Sequence, residues 1–374
     1  MKLRKPDYYD RFQCIAGACS DSCCIGWEID INEEQKQIYA QFSDKSGAGS
    51  ELGARMKTCI DWEEGHFILL GKEERCPFLN QENLCDLIIG LGEDSLCDIC
   101  REHPRFYDWF DGLKEVGLGL CCEAAGRLIL ESEEPAKFVV EGITDEEFDV
   151  MGEDEELLDI LFSARETAIY ILQNRKQSVW KRMEYFLNYV ETLQDALDFG
   201  SLDEMEEIAA EFGYITEESA GSENICIDMK SDQYRKLLKL CRRLEPIDDS
   251  WTKTLSELEI MAESFQDRES QELDGMEAAA LEQTCSREYE YEHLMVYFVY
   301  RYFMKCREDG DVLSKGYLAV FCLILIRLLD IKTFVETGAV TMEDRVQNAK
   351  CISKEIEYSE ENLDTLADAF WSER

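Results

Sequence analysis

The sequence predicts a mainly α protein: a small cysteine-rich α+β metal-binding domain with short hairpins at residues 1–135, then an all-helical domain at 136–374. Three observations carry this expectation. Eleven of the seventeen cysteines lie at or before position 122. Apolar residues in the second part recur at helical spacing. Proline is scarce, with five in 374 residues, and Leu, Glu, Asp and Lys dominate the second half, a composition that favours helices.

The elements follow in order. Trp27–Ile31 (WEIDI) alternates like a short strand, and His66–Leu70 (HFILL) is a second strand candidate. Short helices are expected over NLCDLIIGLG and SLCDICREH. RFYDWF-DG-LKEVGLGL predicts a hairpin turning at Asp111-Gly112. Thr144–Glu156 reads as an acidic connector. Leu158, Leu161, Ile169 and Leu172 suggest one amphipathic helix. Val179, Met183, Phe186, Val190, Leu193 and Leu197, spaced 4, 3, 4, 3, 4, give another a single apolar stripe. Tyr289–Met304 is apolar and aromatic on most faces, which predicts a central helix. Thr341 with Asp344 resembles a capping box.

Composition narrows the function. Hydrophobic residues make up 45% of the chain, enough for a core, and the formal charge is −42. Such an excess of carboxylates disfavours nucleic acid and anionic membrane surfaces. It is either a set of solvated helix faces or an attraction for a cationic, lysine-bearing partner. The longest apolar run, Tyr317–Ile326, is too short for a bilayer of roughly 30 Å and reads as a buried helix. No apolar segment follows the basic start MKLRKPDYYDRF, so it does not read as a secretory signal. The expected compartment is the cytoplasm, where stable disulfides are rare.

That leaves the cysteines to structural zinc or to an iron–sulfur centre. In order, the spacing is C-x4-C-x3-C-C over Cys14, Cys19, Cys23 and Cys24; then Cys76-x8-Cys85; then Cys97-x2-Cys100; then Cys121-Cys122. Zinc sites usually pair two C-x2-C or His-bearing motifs, and only Cys97 and Cys100 form one here. The three histidines, His66, His103 and His293, make the donor set thiol-rich, which tilts towards iron–sulfur. Spacing alone keeps both metals open. Side chains of adjacent residues diverge in extended chain, so Cys23 and Cys24 are expected to serve two centres or two irons of one cluster. Cys59 falls outside every motif.

The run Phe12-x-Cys14, Gly17, Cys19-x-Asp21-x-Cys23-Cys24-x-Gly26-Trp27 resembles the flagellin lysine-N-methylase family, part of a wider group of zinc- or iron-chelating "CxxCxxCC" proteins. Cys76-Pro77-Phe78-Leu79, Leu84-Cys85, Cys100-Arg101-x-x-Pro104-Arg105-Phe106 and Cys121-x-Glu123-Ala124-Ala125 follow in the family's order. The resemblance covers roughly residues 1–135. It implies a [4Fe-4S]-dependent enzyme that moves a methyl group from S-adenosylmethionine to the ε-amines of flagellin lysines. It implies the ligands Cys14, Cys19, Cys23, Cys24, Cys76, Cys85, Cys100 and Cys121. Two positions depart from the pattern: Cys122 stands where the family has proline, and Cys97 adds a thiol. Arg101 and Arg105 are candidates for the cofactor's carboxylate, for neutralising a cluster, or for pairing with surface acids. Glu123 is a candidate base or a helix-start residue. EVGLGL, Glu115–Leu120, has the glycines of a nucleotide loop but no βαβ unit around it, so a hairpin strand is expected there. The alternative function is a zinc or iron carrier, sensor or scaffold without catalysis.

Overall fold

The computed structural model describes residues 1–26, 28–45, 50–72, 74–142, 155–208, 231–264 and 287–373. The protein is mainly α, with its strands confined to the N-terminal part. Strands β1 (Lys2–Pro6), β4 (Arg105–Phe110), β5 (Leu113–Leu118) and β6 (Phe138–Glu141) form a sheet in the order β4-β5-β1-β6. β4 and β5 are the expected antiparallel hairpin around Asp111-Gly112. β1 runs parallel to β5 and antiparallel to β6. β6 therefore lies beyond residue 135 yet closes a sheet begun at residue 2. Its pairing partners are remote in sequence, and no local pattern marks it.

The sheet is fixed to the helices by charge and by one hydroxyl. Arg165, on helix α6 (Glu155–Gln173), makes a two-pronged pair with Glu115 of β5, at 2.7 Å for the longer contact, and both side chains are buried. Tyr300 Oη lies 3.2 Å from the carbonyl oxygens of both Arg4 and Val116, to which it can donate. A Cβ on Gly117 would sit 2.2 Å from the ring of Phe106, its cross-strand partner. That glycine makes room for an aromatic ring, as expected of a strand and not of a cofactor loop.

Two apolar cores result. The larger unites the back of the sheet, α5 (Glu123–Leu130) and the helical half. α6 buries Leu158, Leu161, Ile169 and Leu172. α7 (Val179–Phe199) buries the predicted stripe from Val179 to Leu193, leaves Leu197 half-buried, and is capped by Ser178, which accepts from the Lys181 N–H. Later come α8 (Ser231–Cys241), α9 (Trp251–Ser264), α10 (Glu288–Tyr302), α11 (Val312–Thr337), α12 (Met342–Glu357) and α13 (Glu360–Glu373). α10 and α11 are buried on most faces, as their composition requires. The capping box of α12 forms from Thr341 and Asp344. Among the described residues no helix is long and apolar enough to cross a membrane.

The smaller core lies in residues 29–97, under α1 (Glu33–Lys45), α2 (Glu51–Cys59) and α3 (Asp86–Leu91). Two strand expectations hold only in part here. Trp27 lies outside the described residues, and 28–31 contributes only a bridge between Asp30 and His66. Ile29 and Ile31 do alternate inward, but their partner strand, β3 (His66–Phe67), is only two residues long and pairs on its other side with β2 (Ile60–Asp61). Ile68 and Leu70 extend past that pairing into solvent. Of the acidic connector, residues 144–154 lie outside the described residues, as do Cys226 and Cys285.

Candidate metal centre

The fifteen described cysteines are all free thiols, and those of the N-terminal third gather in two groups. The first collects Cys24, Cys76, Cys85, Cys97 and Cys100 around the smaller core. The Cys76 N–H donates to the Cys24 carbonyl at 2.8 Å, which sets these residues side by side. A bridge between Leu79 and Cys85 folds the CPFL segment back. Cys85 precedes the first turn of α3, and Cys97 that of α4 (Asp98–Glu102). Sulfurs of Cys97 and Cys100 lie 3.4 Å apart. Burial pushes Cys76 up to about 12, with the nearby Cys85 and Cys97 adding to the rise. Cys100 is driven up by its contact with Cys97, then by burial and by the fields of Cys24 and Cys76.

The second group holds Cys19, Cys23 and Cys122. Cys122 caps the N-terminal end of α5. Burial raises it to about 11; the N–H groups of Ala125 and Ala124 pull it back, and the fields of Cys23 and Cys19 add to the rise. Cys14 is exposed five residues before Cys19. Cys121 turns the other way: its sulfur is buried, 2.6 Å from Tyr358 Oη. The adjacent pair does not part as expected: the side chains of Cys23 and Cys24 are hydrogen-bonded to each other, while Cys100 feels the field of Cys24 and Cys122 that of Cys23. Cys59 packs at the edge of the smaller core.

The donor set has the chemistry of a soft-metal site, although among the described residues the three ligand groups lying within 4.8 Å of one another are Asp61, Glu64 and His66, and not thiols. Several buried thiols cannot ionise together without a cation, because each thiolate raises its neighbours. A soft metal reverses that by taking the thiolates as ligands. Helix N-termini at Cys85, Cys97 and Cys122 add partial positive charge where thiolates would form.

The arginines differ. Arg101 is half-exposed and held by Asp98 and Glu102. Arg105 stacks on Phe12, 5.2 Å from the ring centre, and donates to the Arg101 carbonyl. Among the described residues Arg105 has no carboxylate partner. His66 is accounted for by Glu28 and Glu64, at 3.6 and 3.8 Å. His103 is pushed down to about 4 by burial, with the Lys354 ammonium acting in the same direction.

The second group is closed by the helical half. The Gln347 amide on α12 donates to Ser20 Oγ at 2.9 Å and to Glu123 at 3.1 Å. Glu123 also accepts from the Ser20 N–H at 2.9 Å. These bonds hold its carboxyl below the ordinary value despite the upward push of burial. Glu123 is thus a tie between the cysteine loop and two helices. Lys350 and Lys354 both pair with Asp21, which lies between Cys19 and Cys23. Arg301 on α10 donates to Tyr297 Oη at 2.7 Å and pairs with buried Glu357 at 3.3 Å. A Cβ on Gly119 would stand 3.2 Å from Arg301 Nη1, from Cys121 Sγ and from the Pro104 carbonyl. A side chain there would make these neighbours give by a few tenths of an ångström.

Residues 165–374, which include every one of these closing groups from α10 and α12, match the model of the FliB lysine N-methylase C-terminal domain. The chain belongs to this family. It is 27% identical over 131 residues to the "Flagellar biosynthetic protein FliU" of Salmonella muenchen, covering 34% of this chain and 76% of that protein. It is 27% identical over 131 residues to the "Lysine-N-methylase" of Salmonella typhimurium strain LT2, and 26% to that of Salmonella choleraesuis strain SC-B67. In both cases 34% of this chain and 32% of the relative are covered, so the matched stretch spans about a third of these lysine N-methylases. No solved structure matches.

FliB-family residues at the seam were not found by sequence reasoning. Lys350 and Lys354 are ordinary in a charged helix, and Gln347, Glu357 and Tyr358 carry no motif. Arg301 had a signal: it is the single cation inside the aromatic run Tyr289–Phe303.

Proposed function

We propose that the chain is a protein-lysine N-methyltransferase that holds iron–sulfur on its N-terminal thiols. In this reading it takes methyl groups from S-adenosylmethionine and acts on the lysines of flagellin. One observation carries this reading: a thiol group built by the N-terminal motifs is closed by side chains of the lysine N-methylase domain. Cys24, Cys76, Cys85 and Cys100 would serve one centre, with Cys97 as a fifth donor. Cys14, Cys19 and Cys23 would serve the other, with Cys121 or Cys122 as the fourth; the fields of Cys19 and Cys23 felt at Cys122 support Cys122. When bound, an iron–sulfur cluster supplies redox-active iron. Arg105, backed by Phe12 and without an acid partner among the described residues, suits the cofactor's carboxylate. A lysine ε-amine, with a reference pKa near ~10.4, must shed a proton before its lone pair attacks. The nitrogen–carbon bond then forms as the sulfonium carbon–sulfur bond breaks. A chain of charge −42 attracts such a cationic side chain.

The 3.4 Å between Cys97 and Cys100 favours a second reading of the first group. Sulfurs sharing one tetrahedral zinc at ~2.3 Å bonds sit nearly that close, so this group would hold zinc as a staple.

The test is anaerobic purification with iron, sulfide and zinc analysis, followed by co-expression with flagellin. Brown, iron-bearing protein and flagellin heavier by multiples of one methyl substitution are expected. Colourless, zinc-only protein with flagellin of unchanged mass would leave a metal-chelating scaffold instead.

A further inference from the structure

We propose that Lys350 and Lys354 on α12 are positioning residues that compensate the charge of the second thiol group and set the reduction potential of the metal held there. The proposal rests on the iron–sulfur reading above. Three observations carry it. First, Lys350 is nearly buried, with its Nζ 3.1 Å from Asp21, and Lys354 pairs with the same carboxylate. Second, Asp21 lies two residues from both Cys19 and Cys23, so both ammonium groups stand at the loop that carries the thiols. Third, Gln347, Lys350 and Lys354 are spaced 3 and 4, which puts them on one face of α12, and Gln347 grips Ser20 and Glu123 of the same assembly.

A charge count shows what this face does. Asp21 and Glu123 bring two negative charges; Lys350 and Lys354 bring two positive ones. These four charges cancel, while Asp248, in the field of both Asp21 and Lys354, leaves the surroundings negative before any thiolate is counted, in a chain whose formal charge is −42. Without the lysines, thiolates bound to iron would face two carboxylates across a partly dry seam, where charges are weakly screened. Reduction adds an electron, so nearby cations favour the reduced state and nearby anions oppose it. The lysines belong to the C-terminal family domain, so the domain reaches the metal through charge without supplying a thiol.

The experiment is a dye-mediated redox titration of anaerobically purified full-length protein, with iron content measured alongside. In Lys350→Met/Lys354→Met the one-electron equilibrium should move at least tenfold towards the oxidised form, a drop of ~59 mV or more. In Asp21→Asn it should move the opposite way. Lys350→Arg/Lys354→Arg keeps the charge and should restore the wild-type potential. A structural role alone would not give opposite shifts for the two kinds of variant. Iron-loaded variants with unmoved potentials, or with shifts of one sign, would overturn the proposal. Should the double methionine variant lose its iron, the rise in Asp21→Asn decides the question. Wild-type protein without iron would instead overturn the metal reading itself and this proposal with it.

Discussion

The two apolar cores are built to different rules. Among the described residues, the larger gathers sixty-two buried apolar side chains from the sheet and the helices. The smaller gathers twelve, two of which are the cysteines Cys76 and Cys97. Twelve buried apolar side chains make a small core for a loop-rich segment of this length. Metal bonding to Cys24, Cys76, Cys85, Cys97 and Cys100 would make up the difference, as it does in small metal-folded domains. The helical core needs no such help, and its cysteines (Cys241, Cys306, Cys322) are single buried thiols acting as small apolar residues.

The contrast can be broken most sharply by chelation. Stripping metal from purified protein should abolish amide-exchange protection in residues 29–100 and leave α11 protected. Uniform protection before and after would show that the small core stands without metal. The seam between the regions offers a smaller effect. Arg165→Met leaves Glu115 buried with only Arg4, 3.6 Å away, as a counter-charge. Breaking a buried pair this way costs about 3–5 kcal/mol, and Arg4 should keep the loss near the lower figure. Denaturant unfolding would read it, and a loss under one kcal/mol would mean that Arg4 or solvent replaces the pair. Smallest is the cap of α12. Thr341→Ala removes the hydroxyl that accepts from the Asp344 N–H at 3.1 Å and should cost about 1 kcal/mol. It should lower the global midpoint while leaving the metal content unchanged.

The same contrast explains what could be read from sequence. The helical half was legible because each helix carries its own signal: the stripe from Val179 to Leu197, the cap at Thr341 and Asp344, the apolar run from Tyr317. The hairpin at Asp111-Gly112 was legible for the same local reason. β1 was not, since LysLeuArgLysPro becomes a strand only by inserting between β5 and β6, where Arg4 meets Glu115 and Lys5 meets Asp10 and Glu141. The WEIDI and HFILL stretches had the right alternation, but strand length depends on a partner that stops at Phe67. At the candidate site, the thiols showed in the spacing, but the side-chain contact between Cys23 and Cys24 did not, because it depends on how the loop bends. The groups that surround them arrive from some three hundred residues later in the chain, beyond any local pattern.

That distance along the chain gives the molecule a timetable. A ribosome releases the cysteines of the first loop some three hundred residues before α12, which covers them with Gln347, Lys350 and Lys354. Until α12 has folded, those thiols lack the cover that Gln347, Lys350 and Lys354 give them.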